Sequence, residues 1–118
     1  MEALDILGDP VRRRILELLA RGEHSAGEVV AVISAEFGIS QPAVSQQLRV
    51  LRESGFARVR QSGTRRIYAL EAESLRPVDD WLEQFRTFWS SRLDALGTEL
   101  ARGRRARRST NPDHEEKP

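Results

Sequence analysis

At Gly55 the hydrophobic period of this chain switches from about 3.6 residues to 2, and that switch limits the folds open to it. Before the switch, SQPAVSQQLRVLRESG places Val44, Leu48 and Leu51 at i, i+4 and i+7, on one face of a helix. Ser40 is a natural N-cap, Pro42 falls in the first turn where a missing N–H costs nothing, and Gly55 suits a left-handed stop. After the switch, FARVRQ alternates apolar and basic residues, QSGT carries turn chemistry at Gly63, and RRIYAL returns. A short antiparallel hairpin is expected, and because two strands alone are marginal it must pack on helices.

Three more helices are expected upstream. Leu4, Ile6 and Leu7 suggest a short one ending at Gly8. In GDPVRRRILELLARG, Asp9 can cap, Pro10 suits the first helical position, Gly22 follows the last turn, and Val11, Ile15, Leu18 and Leu19 share a face. Ser25 to Ala35 carries Val29, Val30, Val32 and Ile33; the β-branched run lends strand character, but the expectation is a helix ended at Phe37-Gly38, followed by a tight turn at Gly38-Ile39. Downstream, Ser74 is expected to cap a long final helix, striped by Leu75, Val78, Leu82, Phe85, Trp89, Leu93, Leu96 and Leu100. From Arg102 the chain is basic, then acidic, and almost without aliphatic residues. One domain over residues 1–101 and a disordered charged tail over 102–118 are expected, with the fold mainly α and a small β-hairpin.

Several functions lack their chemistry. There is no cysteine, which excludes disulfides, thiolate metal sites and cysteine nucleophiles. His24 and His114 lie far apart, so no metal or cofactor is expected. Asp79 and Asp80 could mimic a catalytic carboxylate pair, but neighbours on a helix point about 100° apart, and no glycine-rich loop or nucleophile accompanies them. An enzyme is not expected. No run of 18 apolar residues and no basic-then-apolar leader occurs, which gives the expectation of a soluble, cytoplasmic protein without membrane contact.

Charge distribution is more informative than the net charge of +1. Residues 41–70 hold Arg49, Arg52, Arg58, Arg60, Arg65 and Arg66 against Glu53 alone, a local balance of +5. Helices followed by a hairpin form the winged helix-turn-helix arrangement, in which the last helix before the hairpin enters the major groove of DNA. With Val44, Leu48 and Leu51 facing the core, Gln41, Ser45, Gln46 and Arg49 turn outward. Gln bonds adenine and Arg bonds guanine bidentately, so Gln46 and Arg49 lead as base readers. Ser40 at the helix start, Arg52, and the hairpin's Arg58, Arg60, Arg65 and Arg66 are candidates for the phosphate backbone of double-stranded DNA. The rival reading is a winged helix used for protein contacts, with no operator and little salt dependence.

LGDPVRRRILELL, GEHSAGEVV and ISQPAVSQQLRVLRESGFARVRQSGTRRIYAL resemble the arsenic-repressor (ArsR) family of bacterial winged-helix regulators, from about residue 4 to residue 100. The last helix, LRPVDDWLEQFRTFWSSRLDAL, is similar to a metal-independent branch whose members act as autorepressors or are encoded beside a START-like ligand-binding protein. The resemblance implies a homodimer that represses from a palindromic operator and is released by an effector or partner protein. Metal-sensing relatives carry two cysteines where this chain has Ser25 and Gly27, and zinc-sensing relatives place histidine on the last helix, which has none between Ser74 and Leu100. Against the family's usual length, VISAEFG lengthens the segment before the reading helix by about four residues, in the helix or in the loop.

The apolar stripe exceeds what one small domain needs from a terminal helix, and Trp81, Phe88 and Trp89 widen it. It is expected to be the dimer interface, completed by Leu4, Ile6 and Leu7. A small-molecule pocket around Trp81, Phe85 and Trp89 is the alternative use of the aromatics, and the arginines from Arg102 to Arg108 could add phosphate contacts.

Overall fold

Capping residues set the helix ends in this chain, whose computed structural model describes residues 3–110. After a short α1 (Ala3–Leu7), the Asp9 carboxylate accepts from the amides of Val11, at 2.7 Å, and Arg12, which starts α2 (Pro10–Ala20). Ser25 and Glu28 form a reciprocal capping box at the head of α3 (Ala26–Phe37). Gly38, at φ 63°, ends α3. The Ser40 hydroxyl accepts from the Ala43 amide and opens α4 (Gln41–Glu53).

Only residues 38–40 separate α3 from α4, so the loop is short and the residues of VISAEF lie within α3. The turn is pinned by the Ser34 hydroxyl, which donates to the Ile39 carbonyl at 2.9 Å. At the far end of α4, Gly55 takes φ 81°, its amide bonds the Arg52 carbonyl, and the Phe56 amide bonds the Leu51 carbonyl. These two bonds satisfy carbonyls that the helix end would leave orphaned, and they aim the chain directly into the sheet.

The sheet has three strands and not the expected two. β2 (Ala57–Ser62) and β3 (Arg65–Leu70) form the hairpin, and the two-residue β1 (His24–Ser25) pairs with the other edge of β3, giving the order β1-β3-β2. His24 stands opposite Tyr68 and Ser25 opposite Ile67, so the wing is bonded to the start of α3. A strand of two residues is too short to show alternation, which is why the sequence pattern misses it.

The core lies in the first of two compact units, which ends at Asp79. Ile6, Ile15, Val29, Ile33, Val44 and Leu51 are fully enclosed, with Leu48, Phe56 and Tyr68 nearly so. Each such side chain contributes about 1.5 to 3 kcal/mol of burial free energy, and together they fix which face of α4 is left outside. Ile6 belongs to this core and is withdrawn from the expected dimer surface, because a five-residue helix has both an inner and an outer side and Ile6 is on the inner one. Leu7 and Leu75 pack partly against the same core, while Leu4 is exposed.

Ser74 does not cap the last helix. It sits inside a 3-10 turn (Ala72–Leu75) where its hydroxyl donates to the Glu71 carbonyl, and α5 (Arg76–Thr110) begins after it. α5 continues through residues 102–110, past the expected domain boundary. Residues 111–118 of the expected tail, including His114, lie outside the described residues. Among the described residues no helix is long and apolar enough to cross a membrane.

Candidate nucleic-acid interface

With Val44, Leu48 and Leu51 turned inward, Gln41, Ser45, Gln46 and Arg49 are exposed on α4, and Arg52 is half-buried at the margin. Ser40 uses its oxygen as the helix cap, which leaves its hydroxyl proton free to donate outward. Strand register then sorts the hairpin residues by face. Arg58 stands opposite Ala69 and Arg60 opposite Ile67, while Val59 stands opposite Tyr68 and Gln61 opposite Arg66. Cross-strand partners share a face, so Arg58, Arg60, Ile67 and Ala69 lie on one side and Val59, Gln61, Arg66 and Tyr68 on the other.

The Tyr68 side faces α4. There an open groove of about 440 Å³ is lined by Pro42, Ser45, Gln46, Arg49 and Arg52 of α4, by Arg66 and Tyr68 of β3, and by Ala26 at the start of α3. The Arg66 guanidinium sits 5.9 Å from the centre of the buried Tyr68 ring, a cation–π contact that holds the charge beside the helix. Two guanidiniums, a hydroxyl and an amide from one helix, with a third guanidinium across the gap, make a surface that can offer donors to an anionic backbone and to base edges together.

The other wing arginines are already engaged. Arg58 pairs with Glu71 at 3.2 Å, Arg60 with Glu23 at 2.8 Å, and Arg65 with Glu28 at 2.9 Å, while Arg49 lies 3.4 Å from Glu53. The local balance of +5 is therefore an overstatement: Glu23, Glu28 and Glu71 fold back onto three of the six arginines, which with Glu53 sets four carboxylates against six guanidiniums and leaves +2. Sequence windows miss this because Glu23 and Glu28 each lie 37 residues from their arginine. Glu28 is tuned furthest. Its carboxylate accepts from the Ser25 amide and lies against the Ser25 side chain, His24 and Arg65, which holds its carboxyl down at about 2. The Ser-x-x-Glu spacing of a capping box was legible in Ser25 to Glu28. Ser25, at a position where metal sensors carry cysteine, thus has a capping task of its own.

The second unit begins at Asp80. On its helix, Trp81, Phe88, Trp89, Leu93 and Leu96 are about half exposed or more, Phe85 is borderline and Leu82 partly buried; Val78, one turn before, is partly buried too. Trp81 meets Phe85 edge-on at 4.9 Å, and Phe85 meets Trp89 at 6.4 Å, so the three rings form a ladder along one face.

A sequence model described as "Bacterial regulatory protein, arsR family" matches residues 9–59, from the cap of α2 into β2. An HTH-type transcriptional regulator of Mycobacterium tuberculosis (strain ATCC 25618 / H37Rv) is 38% identical over 85 residues, 72% of this chain and 76% of that protein. The transcriptional repressor SdpR of Bacillus subtilis (strain 168) is 32% identical over 79 residues, 67% of this chain and 83% of that protein. Among solved structures, an ArsR family transcriptional regulator superposes with a TM-score of 0.59 at 30% identity, covering 75% of this chain and 87% of the other. The chain belongs to the arsR family. For an arsR-family protein, α3 and α4 are the helix-turn-helix and β2–β3 the wing, and the family is one of transcriptional regulators and not of enzymes. Arg66, Tyr68 and α5 fall beyond the span matched by the family model, so their roles rest on geometry.

Proposed function

We propose that this chain is a homodimeric, cytoplasmic repressor that binds a palindromic operator in double-stranded DNA and is released by a signal other than a metal. The observation that carries this reading is the groove in which Ser45, Gln46, Arg49 and Arg52 of α4 meet Arg66 of the wing. Gln46 and Arg49 read bases, with Gln41 and Ser45 at the flank. Ser40, Arg52 and Arg66 hold phosphates along the groove; Arg58, Arg60 and Arg65 join them once they exchange carboxylate for phosphate. Support for the dimer comes from the exposed apolar stripe from Trp81 to Leu96 and from exposed Leu4. The aromatic ladder favours packing between copies, and a twofold axis would set two reading helices about 34 Å apart, one turn of DNA. The input is a small molecule or a partner protein.

The test is footprinting on the DNA upstream of the chain's own gene, followed by equilibrium binding. Gln46→Ala or Arg49→Ala should lose about 1 to 3 kcal/mol on the operator and relax base preference at one position per half-site. Unchanged discrimination among operator variants in both would refute base reading by α4. Sedimentation of only monomer at micromolar concentration would refute the dimer.

A further inference from the structure

One guanidinium in the first unit is shared by three elements. Arg12, on α2, donates through Nε to the Ile6 carbonyl at 2.9 Å and through one terminal nitrogen to the Asp5 carbonyl at 3.1 Å, both at the end of α1. Its other terminal nitrogen donates to Oε1 of Gln47 on α4 at 3.0 Å, and Asp9 completes the surround at 3.7 Å. The Arg12 side chain is only 17% exposed, and Gln47 is half-buried between exposed Gln46 and core Leu48.

This arrangement answers two needs at once. A five-residue helix cannot satisfy its own last carbonyls, and Arg12, with Arg13 on the Leu7 carbonyl, supplies donors for them. The fork that does so has fixed planar geometry, so the Gln47 amide is placed relative to the end of α1 and not to a mobile ammonium. Burial of Val44, Leu48 and Leu51 fixes which face of α4 turns inward, and the directional hydrogen bond from Arg12 to Gln47 adds a restraint on the rotation that remains about the helix axis. A small rotation there moves Gln46 and Arg49 along the base edges.

We infer that Arg12 is a positioning residue for the reading helix, acting through Gln47 to fix the rotation of α4 against the end of α1, and so determines operator discrimination without touching DNA. The inference rests on the proposed reading of DNA by α4. The measured quantity is the ratio of affinities for operator and for random duplex, because loss of folded protein scales both affinities alike and leaves their ratio unchanged. Gln47→Leu, which removes the acceptor, should lower the ratio by about tenfold while leaving random-duplex affinity as in wild type. Arg12→Lys, which keeps the charge but loses the fork, should lower it comparably. Gln47→Glu, which restores an acceptor for Arg12, should recover the wild-type ratio. A wild-type ratio in Gln47→Leu, or an equal loss in Gln47→Glu, overturns the inference. Loss in the Gln47 variants with a wild-type ratio in Arg12→Lys would also overturn it, because Gln47 would then be reading DNA itself. Gln46→Ala separates the two levels: if it lowers the ratio while Gln47→Leu does not, base reading stands and positioning falls; if neither lowers it, both fall.

Discussion

Replacing Arg66 by Ala removes the one wing arginine that faces α4 across the groove and that, among the described residues, has no carboxylate partner. Each phosphate contact on duplex DNA adds about 0.9 to the slope of log affinity against log salt. The proposed dimer would place two copies of Arg66 on the operator, so the slope should flatten by about 1.8. Between 50 and 200 mM salt, a fourfold range, the affinity gap between wild type and variant should then shrink by about 12-fold. Loss of the contact with Tyr68 costs about 0.5 to 1 kcal/mol of stability, too little to unfold the domain. Fluorescence anisotropy with operator and random duplexes across that salt range measures the slope, and both duplexes should respond alike because phosphate carries no sequence. Arg60→Ala is the internal comparison: its guanidinium lies on the opposite face and is held by Glu23, so its slope change should be less than half as large. A slope for Arg66→Ala parallel to wild type, or a larger change for Arg60→Ala, would refute the assignment of the groove as the DNA face.

Two further outcomes test the scaffold. The depressed Glu28 carboxyl favours the folded state above the ordinary value of 4.5, and that contribution is lost as pH falls toward about 2. Thermal unfolding over this window should show wild type converging on Glu28→Ala, and a constant gap between them would show that the capping box does not titrate with folding. Leu48→Ala, which empties a site only 2% exposed beneath the reading helix, should cost about 2 to 5 kcal/mol in urea unfolding with the denaturant slope unchanged. A cost below about 1 kcal/mol would place Leu48 outside the core.

Helix positions were legible because single residues mark them chemically: Asp9 and Ser40 present oxygens to bare amides, and Gly38 and Gly55 take backbone angles that other residues avoid. The inward face of α4 was equally legible from Val44, Leu48 and Leu51, and with it the outward set Gln41, Ser45, Gln46 and Arg49. What escaped the sequence depends on contacts between distant segments. The pairing of Arg60 with Glu23 and of Arg65 with Glu28, the third strand at His24–Ser25, and the bond from Arg12 to Gln47 arise only after the chain folds back on itself. Ser74 looked like a cap by residue type, but the backbone turned once more before α5 began, and α5 runs to Thr110, past its last leucine. The placement of Ile6 was ambiguous because so short an apolar helix fits an interior or an interface equally well.

The carboxylates on the wing bear on how such a protein would search a genome. An arginine that must leave Glu23, Glu28 or Glu71 before it takes a phosphate exchanges one exposed ion pair for another, so its net gain on the duplex is smaller than that of a free guanidinium. In the proposed complex this exchange would weaken operator and random duplex alike, so with roughly a million or more competing sites per chromosome the choice of site would fall to the base-reading face of α4.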